Sequence, residues 1–259
     1  MADSAVPGQI DWKDWVARFD RMQDRYLAHR RERFEVIVRI LRKTQPADCR
    51  VIDLGCGTGS LTEAILDALP ESRVIGVDLD GALLLLAEQR LQRFGNRAKL
   101  VKEDLRGERW VLAVNGPQDG VVSSTALHWL SPDNLAMLYY RLTEVLKPGG
   151  VFLNADHVAS SEPAVQREWE EHRQADLARS RTHSAEGWDE FFAVYSRALG
   201  ANPATMGSKV VGTWEGIEEG LPLAWHVDQL RKNGFVSCDC FWRCDCDAIY
   251  GAFRQHQDT

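Results

Sequence analysis

The sequence predicts an α/β fold, a doubly wound and mostly parallel seven-stranded sheet with a C-terminal antiparallel hairpin, an N-terminal helical lid and a helical insertion. Three observations predict it. Short apolar runs alternate with helical patterns between residues 50 and 155, a glycine-rich turn joins the first run to the helix after it, and two further β-type runs lie between residues 235 and 254. Parallel neighbours need a crossover, normally a helix, so the alternation itself specifies the sheet type. Ligands in such sheets bind outside the carboxyl ends of the strands.

Residues 11–44 contain neither Gly nor Pro, and Trp15, Phe19, Met22, Tyr26 and then Phe34, Ile37, Ile40 and Leu41 recur at helical spacing. This predicts one broken or two consecutive amphipathic helices. Residues 50–54 are a short apolar strand running into Gly55-Cys56-Gly57-Thr58-Gly59, after which Leu61, Ala64, Ile65, Ala68 and Leu69 mark a helix. Strand 73–77, helix 82–94, strands 99–102 and 120–124, helix 133–146, the turn Lys147-Pro148-Gly149-Gly150 and strand 151–155 follow. Residues 158–222 break the rhythm with helical patterns at 162–181 and 188–199 and a loop holding Gly207, Gly212, Gly216 and Gly220, which predicts an insertion over the sheet. A helix at 223–233 is closed by Gly234, and residues 235–242 and 248–254 pair as the hairpin. The expected organisation is a single domain over 1–259: a lid at 1–46, a ligand-binding core at 47–157, an insertion or substrate cap at 158–222, and a C-terminal helix and hairpin at 223–259.

With 44% hydrophobic and 27% charged residues the composition is that of a globular protein, not of a disordered or collagen-like chain. No stretch approaches the ~20 apolar residues of a membrane span, and Met1-Ala2-Asp3-Ser4 lacks the features of a signal peptide, so a cytoplasmic location without membrane partners is expected. The balance of 31 basic against 38 acidic side chains gives a net charge of −7, which disfavours a broad nucleic-acid surface. Six cysteines are too few for a disulfide scaffold and are expected to stay reduced. The sequence does not specify an oligomeric state.

The glycine turn carries most of the functional information. Alternating glycines let the backbone turn sharply and approach a ligand, and the helix after Gly59 aims its free N–H groups at the same place. The dinucleotide fingerprint G-x-G-x-x-G is not matched, because position 60 is Ser, and the Gly-Lys-Ser/Thr of a P-loop is absent. Asp53, just before the turn, would repel a pyrophosphate but suits a ligand carrying an ammonium and a sulfonium, which points to S-adenosylmethionine. Asp78 ends the second strand, where a carboxylate accepts from a ribose diol, and Glu103-Asp104-Leu105 places an acid after the third, suited to an adenine amino group.

At these residues the chain resembles the class I S-adenosylmethionine-dependent methyltransferases over roughly residues 34–156, with Asp53-Leu54-Gly55-Cys56-Gly57-Thr58-Gly59 close to that family's first motif. The resemblance implies a Rossmann-like fold and S-adenosyl-L-methionine as cofactor, with S-adenosyl-L-homocysteine as product. It also implies that Asp53, Gly55, Gly57 and Gly59 cradle the methionine half, with Cys56 acting through its backbone. Asp78 with Leu79 would hold the ribose, Asp104 with Leu105 would frame the adenine, and Ser124 would lie at the cofactor edge. Ser123-Ser124-Thr125-Ala126-Leu127-His128-Trp129-Leu130 is similar to the subgroup of trans-aconitate and malonyl-carrier-protein methyltransferases. The Asn/Asp-Pro-Pro-Tyr/Phe motif of many base and glutamine methyltransferases is absent. Together these imply an enzyme methylating a small molecule, with a carboxylate or hydroxyl oxygen favoured. A tRNA or protein methyltransferase, or a cofactor-binding protein without turnover, stays open.

Two histidines, His128 after strand four and His157 after strand five, are the candidate catalytic or substrate-contacting residues, with a structural or solvated role as the alternative for each. His226 is a weaker candidate. Among the N-terminal arginines, Arg33 or a neighbour is expected either to pair with the cofactor carboxylate or an acidic substrate, or to belong to a solvated face. Trp188, Phe191, Phe192, Tyr195 and Trp214 read as an aromatic pocket or as core. Cys238-x-Cys240 and Cys244-x-Cys246 have C-x-C rather than C-x2-C spacing on strand-type runs, so no metal is expected there.

Overall fold

The apolar runs fold as expected, and their alternation decides which helices cover which face of the sheet. The structure, a computed structural model, describes residues 10–180, 186–202, 206, 215–217 and 220–256. The strands are β1 (Arg50–Leu54), β2 (Arg73–Asp78), β3 (Ala98–Lys102), β4 (Gln118–Ser124), β5 (Leu146–Ala159), β6 (Leu221–Pro222), β7 (Phe235–Cys244) and β8 (Asp247–Arg254). They form a sheet in the order β3-β2-β1-β4-β5-β8-β7, with the two-residue β6 attached to β5. Strands β1 to β5 pair in parallel, whereas β8 runs antiparallel to both β5 and β7.

The helices are α1 (Trp12–Gln23), α2 (Arg30–Thr44), α3 (Ser60–Ala68), α4 (Gly81–Leu91), α5 (Arg109–Ala113), α6 (Pro132–Val145), α7 (Pro163–Ser180), α8 (Trp188–Leu199) and α9 (Leu223–Lys232). Their ends follow local chemistry. Asp11 caps α1, Asp80 caps α4, and Ser131 caps α6 with Pro132 in its first turn. Because side chains alternate along a strand, Ile52, Leu54, Val121 and Phe152 pack on one face with Leu135, Leu138 and Leu142 of α6 and Leu230 of α9. Val51, Val122, Val151 and Leu153 pack on the other face with Ile37 and Leu41 of α2 and Ile65 of α3. A third cluster joins Trp15, Phe19 and Met22 of α1 to Leu83 and Leu86 of α4 and to Phe191, Phe192 and Tyr195 of α8.

Three details differ from the sequence expectation. Strand β5 begins at Leu146 and absorbs the expected Lys-Pro-Gly-Gly turn, because Leu146 already pairs with Gln118 before a register shift. Helix α5 was not anticipated; five residues are too short for periodicity to show, and its fully buried Trp110 anchors it to the core. Strand β6 exists only through pairing with Val158 and Ala159. The expected loop glycines Gly207 and Gly212 lie outside the described residues.

Candidate active site

Gly55, Gly57 and Gly59 all adopt positive φ, at 66°, 53° and 77°, a region that strains residues bearing a Cβ. Gly55 is the most constrained, since a Cβ there would lie 2.3 Å from that of Ala126. The N–H groups of Gly55 and Cys56 donate to Val77 O at 2.8 and 3.1 Å, and that of Gly57 to Asp78 Oδ2 at 2.8 Å. The turn is thus fastened to the end of β2 with its open side toward a cavity.

One cavity is lined by nine of the expected cofactor residues: Asp53, Gly55, Cys56, Gly57, Asp78, Leu79, Asp104, Leu105 and Ser124. Phe19, Gln23, Leu27, Arg30, Phe34 and Trp188 add to the lining from α1, α2, the connector between them and α8. Asp53 is buried and accepts from Thr62 Oγ1 at 2.7 Å; burial, with Asp78 nearby, pushes its carboxyl up to about 7 despite that bond. Asp78 also accepts the Asp80 N–H at 2.8 Å, and burial raises its carboxyl to about 6. Among the described residues neither carboxylate has an ion-pair partner within 4.0 Å, so the cavity concentrates negative charge beside a backbone turn. That donor set fits a ligand bearing an ammonium, a sulfonium and a ribose diol. Asp104 differs: burial would raise it, but Arg106, at 2.7 Å and itself paired with Glu215 at 3.1 Å, holds it below the usual carboxylate range.

Four expected residues lie elsewhere. Gly59 turns into the start of α3, where a Cβ would meet Leu91 at 2.9 Å. Arg33 is 1% exposed and not in the cavity lining; it donates to Ala155 O and Thr125 Oγ1 and lies 3.6 Å from Asp247. Helix α2 starts at the cavity and runs toward the core, so the arginine one turn earlier, Arg30, reaches the lining and bonds Ser60 Oγ at 2.6 Å. His128 and His157 are also outside that lining. They meet each other instead, with ring centroids 5.0 Å apart.

The two histidines converge on Asp156, in the last third of β5. His128 Nδ1 lies 2.6 Å from Asp156 Oδ1, and the backbone N–H groups of His128 and His157 donate to the same carboxylate at 3.1 and 3.0 Å. Burial would raise Asp156, but the charges of His128, His157 and Arg33 outweigh it and hold the acid far below its ordinary value. His157 Nδ1 sits 2.8 Å from Asp247 Oδ1, its register partner on β8. A smaller cavity borders this group, with Leu130 shared between it and the larger one. His226 also borders it, held by the hydroxyls of Tyr139 and Tyr250 at 2.8 and 3.0 Å; burial lowers its imidazole to about 4, which suits a neutral structural role.

Sequence reasoning missed Asp156, Asp247 and Thr62, and it singled out Arg33 where the neighbouring Arg30 reaches the lining. Asp156 was findable, because it directly follows the apolar run 151–155 as Asp78 follows 73–77. Phe191, Phe192 and Tyr195 are core between α1 and α8, and of that aromatic set Trp188 lines the cavity, while Trp214 lies outside the described residues.

Residues 51–150 match the family described as "Methyltransferase domain". A trans-aconitate 2-methyltransferase from Acidovorax sp. (strain JS42) is 32% identical over 139 residues, 53% of this chain and 48% of the relative. A malonyl-[acyl-carrier protein] O-methyltransferase from Hahella chejuensis (strain KCTC 2396) is 32% identical over 123 residues, 45% of this chain and 38% of the relative. The chain thus spans about half the length, or less, of these curated relatives. Among solved structures, an O-methyltransferase family protein from Burkholderia thailandensis superposes with a TM-score of 0.57 at 15% identity, covering 96% of this chain and 71% of that one. That likeness establishes the fold.

Proposed function

We propose that this protein, whose residues 51–150 match a methyltransferase-domain family, is a class I S-adenosylmethionine-dependent methyltransferase that transfers a methyl group to an oxygen of a small molecule, a carboxylate or a hydroxyl, by in-line displacement. The observation that carries this reading is a pair of carboxylates, the buried Asp53 and the half-buried Asp78, that have no ion-pair partner among the described residues and lie beside the Gly55–Gly57 backbone. Asp53 and the turn would hold the methionine half, Asp78 with Leu79 the ribose, and Asp104 with Leu105 the adenine. When bound, the cofactor supplies an electrophilic methyl on a sulfonium. Phe19, Leu27, Phe34, Trp129 and Trp188 give the cavity an apolar wall that excludes water from the nucleophile.

A carboxylate acceptor needs no base, whereas a hydroxyl must lose a proton. A neutral His128 that donates Nδ1–H to Asp156 would carry its basic lone pair on Nε2. Asp156 orients the ring and stabilises the imidazolium that proton transfer would create. His157, held by Asp247, stands beside it as a second polar contact. Relatives named for trans-aconitate and for malonyl-carrier protein, both carboxylate-bearing, support an oxygen acceptor.

The test pairs binding with turnover. Calorimetry with S-adenosyl-L-homocysteine should show one site, weakened about 10–100-fold or more in Asp78→Ala, in keeping with loss of hydrogen bonds to a charged acceptor. Methyl-labelled cofactor with fractionated extract and a panel of small carboxylic acids should place label in small molecules, released by mild base if an ester forms. Unchanged affinity in Asp78→Ala refutes the site, and label entering RNA or a protein's own side chains refutes the small acceptor.

A further inference from the structure

The hairpin cysteines do not gather into a four-thiolate set. Cys238 Sγ and Cys240 Sγ face backbone oxygens of their own strand, at 3.8 and 3.2 Å from Phe235 O and Trp242 O, and Cys246 is buried. Cys244 instead turns toward side chains from two other parts of the chain. Its Sγ is 3.9 Å from His29 Nε2, and His29 Nε2 is 3.9 Å from Asp176 Oδ2. We propose that His29, Asp176 and Cys244 form a binding site for a divalent transition-metal ion of the zinc class, joining the α1–α2 connector, α7 and the end of β7.

The donor set and spacing support this. One imidazole nitrogen, one carboxylate oxygen and one sulfur are zinc's ordinary ligand types, and the three ligand atoms all lie within 4.8 Å of one another. Tetrahedral bonds of about 2.0–2.3 Å place ligand atoms roughly 3.3–3.6 Å apart, so small side-chain adjustments close the site. Thiolate and carboxylate together neutralise a divalent charge, and water completes the fourth position.

The outer contacts are those of a ligand site. His29 Nδ1 is 3.4 Å from Glu32 Oε2, and Glu32 Oε1 is fixed by the Trp242 indole N–H at 2.9 Å. A carboxylate on the non-ligating nitrogen is what orients a metal-bound imidazole and fixes its tautomer. Asp176 shows the same division, since Arg179 holds Oδ1 while Oδ2 faces His29. His29 also has φ 57°, a left-handed conformation uncommon for residues other than Gly, and it aims the ring into this cluster.

None of the three ligands lines the larger cavity, so the proposal stands apart from the methyl-transfer reading and its readout needs no turnover. Metal-stripped full-length protein is titrated with Co2+ while the thiolate-to-cobalt charge-transfer absorption is followed. The expected result is a band saturating at one equivalent, displaced by Zn2+, retained in Cys240→Ser and lost in Cys244→Ser. Glu32→Gln should weaken cobalt affinity about 10–100-fold without abolishing the band. No band at one equivalent in folded wild-type protein, or a band that survives Cys244→Ser, overturns the proposal. Should Cys244→Ser not fold, His29→Gln decides: a loss of affinity supports the site, and unchanged affinity refutes it.

Discussion

Asp53 and Asp78 place two acids where charge is expensive. Their carboxyls titrate at about 7 and about 6 in the folded chain, against an ordinary value of 3.8. Between pH 4 and 7 the folded state therefore keeps protons that the unfolded state has released. Their contribution to stability is most favourable below about pH 4 and is lost as pH rises to about 7, by up to ~1.4 kcal/mol per pH unit for each group. Urea unfolding of the cofactor-free protein at pH 5 and pH 7.5 should show this fall, and Asp53→Asn should flatten it; an unaltered slope would mean that burial of Asp53 is not its source. These acids were legible in the sequence because Asp53 stands just before the glycine turn and Asp78 closes a strand, whereas the partner of His157 was not. Asp247 arrives 90 residues later on an antiparallel strand whose register no local pattern announces. Likewise, the choice between Arg30 and Arg33 depends on where α2 begins relative to the cavity rim, and helical spacing alone does not set that.

At the scale of elements, α1 and α8 hold each other through aromatic edges, with Phe191 at 5.6 Å from Trp15 and 5.5 Å from Phe19, and both pack on Leu83 and Leu86 of α4. Since this cluster is separate from the two that cover the sheet, removing its central ring should loosen the helices without melting the strands. Phe191→Ala is expected to cost about 3–5 kcal/mol of docking energy. Amide hydrogen exchange should then quicken across α1 and α8 and stay slow in β1 and β4; uniform acceleration would show instead that the cluster unfolds with the core. Long elements such as α7 and α8 were readable to within a residue or so, because a dozen positions repeat the same signal. Helix α5 and β6 were not, because each exists through tertiary contact: one through Trp110, the other through pairing with β5.

For the whole molecule, the larger cavity matters because its wall draws on the sheet edge, the glycine turn, the α1–α2 segment and α8 at once. A ligand there links the aromatic cluster to the strands. S-adenosyl-L-homocysteine at about 100 times its Kd should add ~2.7 kcal/mol of stability, a rise in Tm of roughly 5–10 °C for a chain of this size. Differential scanning calorimetry measures it, and a Tm that does not move at saturating ligand contradicts the cavity as the binding place. The alternation of strands and helices announced a parallel sheet. The placement of β8 between β5 and β7 was beyond the sequence, since a hairpin predicts only that its two strands pair, not which of them meets the sheet.

That placement bears on how the protein is made. Strand β8 is translated after β1 to β7, yet it occupies an interior position, and it alone covers the outer edge of most of β5. While the nascent chain is still on the ribosome, the long β5 presents unsatisfied backbone donors and acceptors to its surroundings until Asp247–Arg254 emerges. Stalled or prematurely terminated products lacking those eight residues would carry both an open strand edge and a His157 without its carboxylate partner, and so would be recruited to chaperones or degraded rather than persist as dormant copies.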